Sequence, residues 1–157
     1  MFLMRNGNSG RTLLAVALLV GVTACASGSS SPAAAPAPET ASVATSLVID
    51  QFLRAANSND LDTMARLFGT ANGSILNWEK KDDVEKRMFT IASVLRHDSY
   101  AVKRQEIVPG RRNEATRVIV GMKIGQSEID VPYTLVWTKD RIWLIEQIGI
   151  DQITNRR

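Results

Sequence analysis

Four regimes of apolar spacing succeed one another along the chain. Thr12 to Val22 is an unbroken apolar run, and Ala26 to Ser42 is almost free of large apolar side chains. From Val43 to about Arg96 apolar residues recur with helical spacing, and from Tyr100 onward they alternate. In the helical regime Ile49, Phe52, Leu53 and Ala56 sit at i, i+3, i+4 and i+7, which puts them on one side of an amphipathic helix. Ser46, Asp50, Arg54 and Asn57 fall on its other side, with Asp50 and Arg54 spaced for an i, i+4 ion pair. Asn57-Ser58-Asn59-Asp60 breaks this helix. Asn59 or Asp60 is placed to cap a second one that presents Leu61, Met64, Ala65 and Phe68 before Gly69. Thr70 to Lys80 is irregular, with a turn signal at Asn72-Gly73. Asp82 followed by Glu85 has capping-box spacing, and Val84, Met88, Ile91, Ala92 and Leu95 form the stripe of a third helix.

The alternating regime predicts strands over Tyr100 to Val108, Ala115 to Ile124, Glu128 to Lys139 and Arg141 to about Ile150. Short turns between them suit an antiparallel meander. In the third strand Ile129, Val131, Tyr133, Leu135 and Trp137 alternate with mostly polar residues, so one face is apolar. The last strand places Ile142, Leu144, Ile148 and Ile150 on one side and Trp143 and Ile145 on the other, so both its faces need cover.

The apolar run Thr12 to Val22 has the length of a signal-peptide core, too short to span a bilayer as a helix, and Arg5 and Arg11 are the charged residues ahead of it. It closes on Val22-Thr23-Ala24-Cys25, which resembles the lipobox of bacterial lipoproteins. The resemblance implies removal of residues 1–24, diacylation of Cys25 on sulfur and a membrane anchor. Two or three acyl chains at about 0.8 kcal/mol per buried methylene make such an anchor effectively permanent. Residues 25–42 then read as the lipidated cysteine and an Ala/Ser/Pro tether too poor in large apolar residues to fold. Residues 43–151 form one domain, and residues 152–157 a C-terminal tail. Ala26 after the cysteine favours the outer membrane, facing the periplasm, by the same analogy.

Composition narrows the function classes. Loss of Arg5 and Arg11 takes 19 basic residues to 17 against 16 acidic ones, which leaves no basic excess for a nucleic-acid partner. Cys25 is the single cysteine, so the domain depends on packing instead of disulfides. One histidine and that cysteine leave too few ligands for a metal site, and no glycine motif for a phosphate or a nucleotide cofactor is present. Asn72-Gly73-Ser74 matches a glycosylation sequon but reads more simply as a turn.

The run from Phe52 to Phe68, Phe-Leu-x-Ala-x-Asn-x-x-Asp-Leu-x-x-Met-Ala-x-Leu-Phe, precedes a four-stranded meander that ends in Trp143-Leu144-Ile145. In this it resembles the NTF2-like superfamily, and within it the bacterial lipoproteins with SnoaL-like or DUF4878-like domains. The resemblance covers about residues 43–151. It implies an α+β fold in which three N-terminal helices pack in a curved four-stranded antiparallel sheet to form a cone whose mouth is often a pocket. It says little about activity, because one fold hosts many functions.

Enzymes of that superfamily set an Asp, or a His-Asp pair, against a Tyr in a dry site. His97 and Asp98 are adjacent in sequence, but a histidine after a helix C-terminus commonly serves as a solvated cation. Glu106, Asp130 and Glu146 lie on strands, where they either face a pocket with Tyr133 as proton donor or pair across the sheet with Arg104, Lys123 or Arg117. The expected function is therefore a lipid-anchored, non-catalytic binding domain for an apolar small ligand or a protein partner. Trp78, Tyr133, Trp137 and Glu146 are its candidate ligand-binding residues. The alternatives are an isomerase- or dehydratase-like enzyme and a scaffold subunit of an envelope complex. A homodimer through the sheet is a further expectation.

Overall fold

A computed structural model describes residues 38–111 and 113–155. Residues 1–24, Cys25 and most of the tether lie outside the described residues, as do Arg156 and Arg157 of the tail. The described chain is α+β, with its main helices before a four-stranded antiparallel sheet.

Helix α1 spans Pro38–Ser58. It starts ahead of Val43, where the apolar periodicity begins, because Ala, Ser and Thr can continue a helix that a proline is suited to open. Ile49, Phe52, Leu53 and Ala56 are fully buried, as their spacing predicts. Asn59 takes a left-handed conformation (φ 55°) and reverses the chain. Asp60 then caps α2, Leu61–Leu67, by accepting the Thr63 N–H at 3.0 Å. A two-residue hairpin follows, β1 (Gly69–Thr70) with β2 (Gly73–Ser74), and then a single 3-10 turn at Ile75–Asn77. Helix α3 covers Lys81–Leu95 and buries Val84, Met88, Ile91, Ala92 and Leu95. The Asp82–Glu85 capping box does not form: Lys80 holds the cap position without a side-chain bond. Asp82 and Asp83 instead lie inside the first turn, where their charge favours the positive helix end. Helices α1, α2 and α3 pack against one another.

Strands β3 (Ser99–Ile107), β4 (Ala115–Ile124), β5 (Ser127–Trp137) and β6 (Trp143–Ile148) follow in sheet order β3-β4-β5-β6. The β4–β5 turn needs only Gly125 and Gln126, with Gly125 at φ 60°, a geometry that matches strand twist and suits glycine. Val118, Val120, Met122, Val131, Tyr133, Leu135, Trp143 and Ile145 join the helical residues in one core.

A register shift opposite Thr134–Leu135 leaves Glu146 as an extra residue in β6. This reverses the phase expected for the last strand. Ile148 pairs with Tyr133 and packs on the core with Trp143 and Ile145, while Leu144 pairs with Val136 on the other face. Strict alternation would have grouped Ile148 with Leu144. Val136 and Leu144 are buried nonetheless, so both faces of this end of the sheet are covered. Past β6 the chain makes a last turn of helix, α4 (Asp151–Thr154), whose Ile153 is buried in the core. Packing thus runs beyond Asp151.

Candidate functional site

Of the four candidate ligand-binding residues, Trp78 and Glu146 share a groove, while Tyr133 and Trp137 lie elsewhere. Trp78 follows the 3-10 turn and is 48% exposed. With Phe68, Ile75, Glu79, Arg87 and Glu146 it lines a groove of about 300 Å³. The groove exists because Phe68 bridges to Ile145 in parallel, which brings the α2–α3 connection against the free edge of β6 at the bulged Glu146. Tyr133 is elsewhere. It is fully buried, its hydroxyl lies 3.4 Å from the Met122 sulfur, and burial pushes its pKa well up. Trp137 tilts against Trp143 with ring centroids 5.4 Å apart, and neither indole N–H has a partner among the described residues.

The carboxylates on the strands are all engaged by cations. Glu106 pairs with Arg104 at 2.8 Å, and Asp130 takes the Lys103 ammonium at 2.7 Å together with Glu128 at 2.9 Å. Glu146 holds the Arg111 guanidinium by two contacts, 2.5 and 3.2 Å, which raises the arginine pKa and ties the β3–β4 connection to β6. In the groove itself Glu79 pairs with Arg87 at 3.0 Å. Not one of Glu106, Asp130 and Glu146 meets the Tyr133 hydroxyl, which is spent on Met122. Each of the three carboxylates faces a cation instead. The groove offers apolar surface, an indole face and fixed charges, which suits binding more than proton transfer.

A second constellation went unread in the sequence. Tyr100 on β3 donates its hydroxyl to Asp50 on α1, and Arg54 approaches the same carboxylate at 3.0 Å. The Tyr100 bond, and after it Arg54, holds the Asp50 carboxyl below its usual range; partial burial followed by Asp50 itself raises the Tyr100 pKa. His97 stands edge-on to the Tyr100 ring at 5.3 Å. Its backbone exchanges two hydrogen bonds with the Asn57 side chain, N–H to Oδ1 at 3.2 Å and Nδ2 to C=O at 3.1 Å. Asp98 is occupied too, accepting the Gly125 N–H at 2.8 Å. Arg54, Asn57, His97 and Tyr100 rim an open hollow of about 650 Å³. The sequence signal was limited to the Asp50–Arg54 spacing, since Tyr100 lies far along the chain.

No group of three or more metal-capable side chains gathers among the described residues, and no helix among them is long and apolar enough to cross a membrane. Set against known proteins, the chain matches no family model and no curated protein.

Proposed function

We propose that this chain is a cell-envelope lipoprotein, anchored through acylated Cys25 to the outer membrane and facing the periplasm. In this reading its NTF2-like domain binds an apolar small ligand or a protein partner without catalysis. The lipobox-like Val22-Thr23-Ala24-Cys25 and the uncharged, apolar run ahead of it support the anchor. The α+β order and the four-stranded meander support the NTF2-like assignment, a fold in which the sheet cups the helices as a cone.

The observation that carries the binding reading is the disposition of the groove. Trp78 stays half exposed beside Phe68 and Ile75, while Glu79 and Glu146 are each neutralised by an arginine. An indole with an apolar floor and no free charge matches an apolar ligand or an apolar anchor side chain of a partner. Mass spectrometry of the protein extracted natively from membranes tests it. An acyl mass on Cys25 and a retained molecule, lost in Trp78→Ala, are the expected results; a bare thiol removes the anchor, and unchanged retention removes the groove.

A second reading, an acid–base enzyme, draws on Tyr100 and His97 at the open hollow and on Asp50, bonded to Tyr100. The bonds to Asp50 lower its proton affinity, and Tyr100 is made a weaker acid. Both shifts run against proton transfer near neutral pH, so the binding reading is preferred. A homodimer through the sheet would have to form on a face that carries the Lys103–Asp130 and Arg104–Glu106 pairs.

A further inference from the structure

We infer that the junction between α1 and β3 rests against the lipid surface to which the chain is anchored. The inference stands on the acylated-Cys25 reading given above. Val43 and Leu47, one turn apart on α1, are 72% and 55% exposed, and Ile107 and Val102 on β3 are 67% and 38% exposed. These side chains flank a single seam. Gln105 of β3 donates from Nε2 to the Ser42 carbonyl at 3.0 Å and the Thr45 hydroxyl at 3.2 Å, and Tyr100 reaches Asp50 further along the helix. Val43 and Leu47 thus border the seam from α1, and Val102 and Ile107 from β3. Single exposed apolar residues are ordinary on a soluble surface; a cluster on one seam marks a contact.

The occupant follows from where the chain ends. Helix α1 opens at Pro38, the described residue nearest Cys25, and Val43 follows it by five residues. The stretch from Cys25 to Pro38 spans at most on the order of 45 Å even fully extended. Tethering at that range holds the domain at a high effective concentration on the bilayer, so a weak apolar contact suffices.

The charges at the seam define the lipid chemistry. Lys103 is taken by Asp130 and Glu128, Arg104 by Glu106 and Arg54 by Asp50, so these cations, among the described residues of α1 and β3, are not free to seek anionic headgroups. The contact is with the boundary between headgroups and acyl chains, and it does not require anionic lipid.

Environment-sensitive labels on the full acylated chain test this. Cys25 is the single native cysteine and its sulfur carries the acyl group, so Leu47→Cys and Ile107→Cys are labelled uniquely. Gln126→Cys at the β4–β5 turn and Phe89→Cys, exposed and apolar on α3, serve as controls. In phosphatidylethanolamine/phosphatidylglycerol vesicles the labels at Leu47 and Ile107 shift to shorter wavelength and are quenched by nitroxide lipids. Those at Gln126 and Phe89 are not, and neither salt nor the phosphatidylglycerol fraction changes the pattern. Equal emission at all four sites overturns the inference while leaving the anchor intact. A shift that resists nitroxide lipids and grows with protein density also overturns it, and assigns the seam to a second copy. A chain whose mass shows no acyl group on Cys25 removes the premise itself.

Discussion

The hydroxyl of Tyr100 on β3 donates to the carboxylate of Asp50 on α1, which fastens the first helix to the open edge of the sheet. Arg54 takes the same carboxylate one turn along the helix. Tyr100→Phe keeps the ring against His97 and removes only the donor. It is expected to destabilise the domain by about 1.5 kcal/mol, the low end of the range for a hydrogen bond to a charged group, because Asp50 is partly exposed. Urea denaturation measures the loss, and an unchanged midpoint would show the clasp to be ornamental.

The same pair sets an acid limb. Asp50 has a depressed pKa in the folded state, so its stabilising contribution is complete above the unfolded carboxyl value of about 3.9 and is lost as pH falls through the folded value. Tyr100→Phe removes the largest cause of that depression. Carboxyl NMR titration is expected to place Asp50 higher in Tyr100→Phe than in the parent chain, with acid unfolding beginning at a higher pH.

An alkaline limb comes from the two tyrosines, Tyr100 and Tyr133. Burial raises both, with Asp50 adding to the shift at Tyr100. Their neutral forms support the fold fully below the unfolded value of about 10, and that support fades as pH rises beyond it. Absorbance at 295 nm is expected to show the Tyr133 phenolate only once circular dichroism reports unfolding. Ionisation of both tyrosines near pH 10 in the intact domain would contradict the burial of Tyr133.

Two glycines separate backbone from side-chain crowding. A Cβ on Gly69 meets the Gly73 carbonyl, a backbone atom of the short β1–β2 hairpin that cannot swing aside. A Cβ on Gly121 meets the stem of Lys103, which crosses the sheet to reach Asp130. Gly69→Ala is expected to cost about 2–3 kcal/mol as an overpacking strain. Gly121→Ala is expected to cost about 1 kcal/mol, because the lysine can move and the ion pair it loses is solvent-exposed. Thermal melts of the two variants check the order.

Trp78 and Phe52 separate function from folding. Phe52 is fully buried on α1, and Phe52→Ala is expected to lose about 3–5 kcal/mol. Trp78→Ala, at a half-exposed position, is expected to change stability by about 0.5 kcal/mol or less while abolishing ligand retention in the groove. Parallel urea curves and native mass spectra read both effects.

Local pattern was enough for every long element. The stripe Ile49–Phe52–Leu53–Ala56, the Asp60 cap of α2 and the alternation through β5 each depend on residues within a turn or two of one another, and each is present as its spacing predicts. The start of α1 was hidden because its first turns carry Ala, Ser and Thr without a period. Lys80 took the cap of α3 from Asp82 because capping motifs leave the helix start uncertain by a residue or two. Of the four candidate binding residues, Trp78 and Glu146 line one groove, whereas Tyr133 and Trp137 pack elsewhere.

What decided those outcomes is long-range. The bulge at Glu146 is set by how β6 pairs with β5, and one extra residue exchanges the faces of everything after it. Asp50 and Tyr100 meet across 50 residues, and Ser42 and Gln105 across 63. Hydropathy period is a property of near neighbours and is legible in one dimension. Pairings between distant segments are chosen by how the whole core closes, and they come into being only when it does.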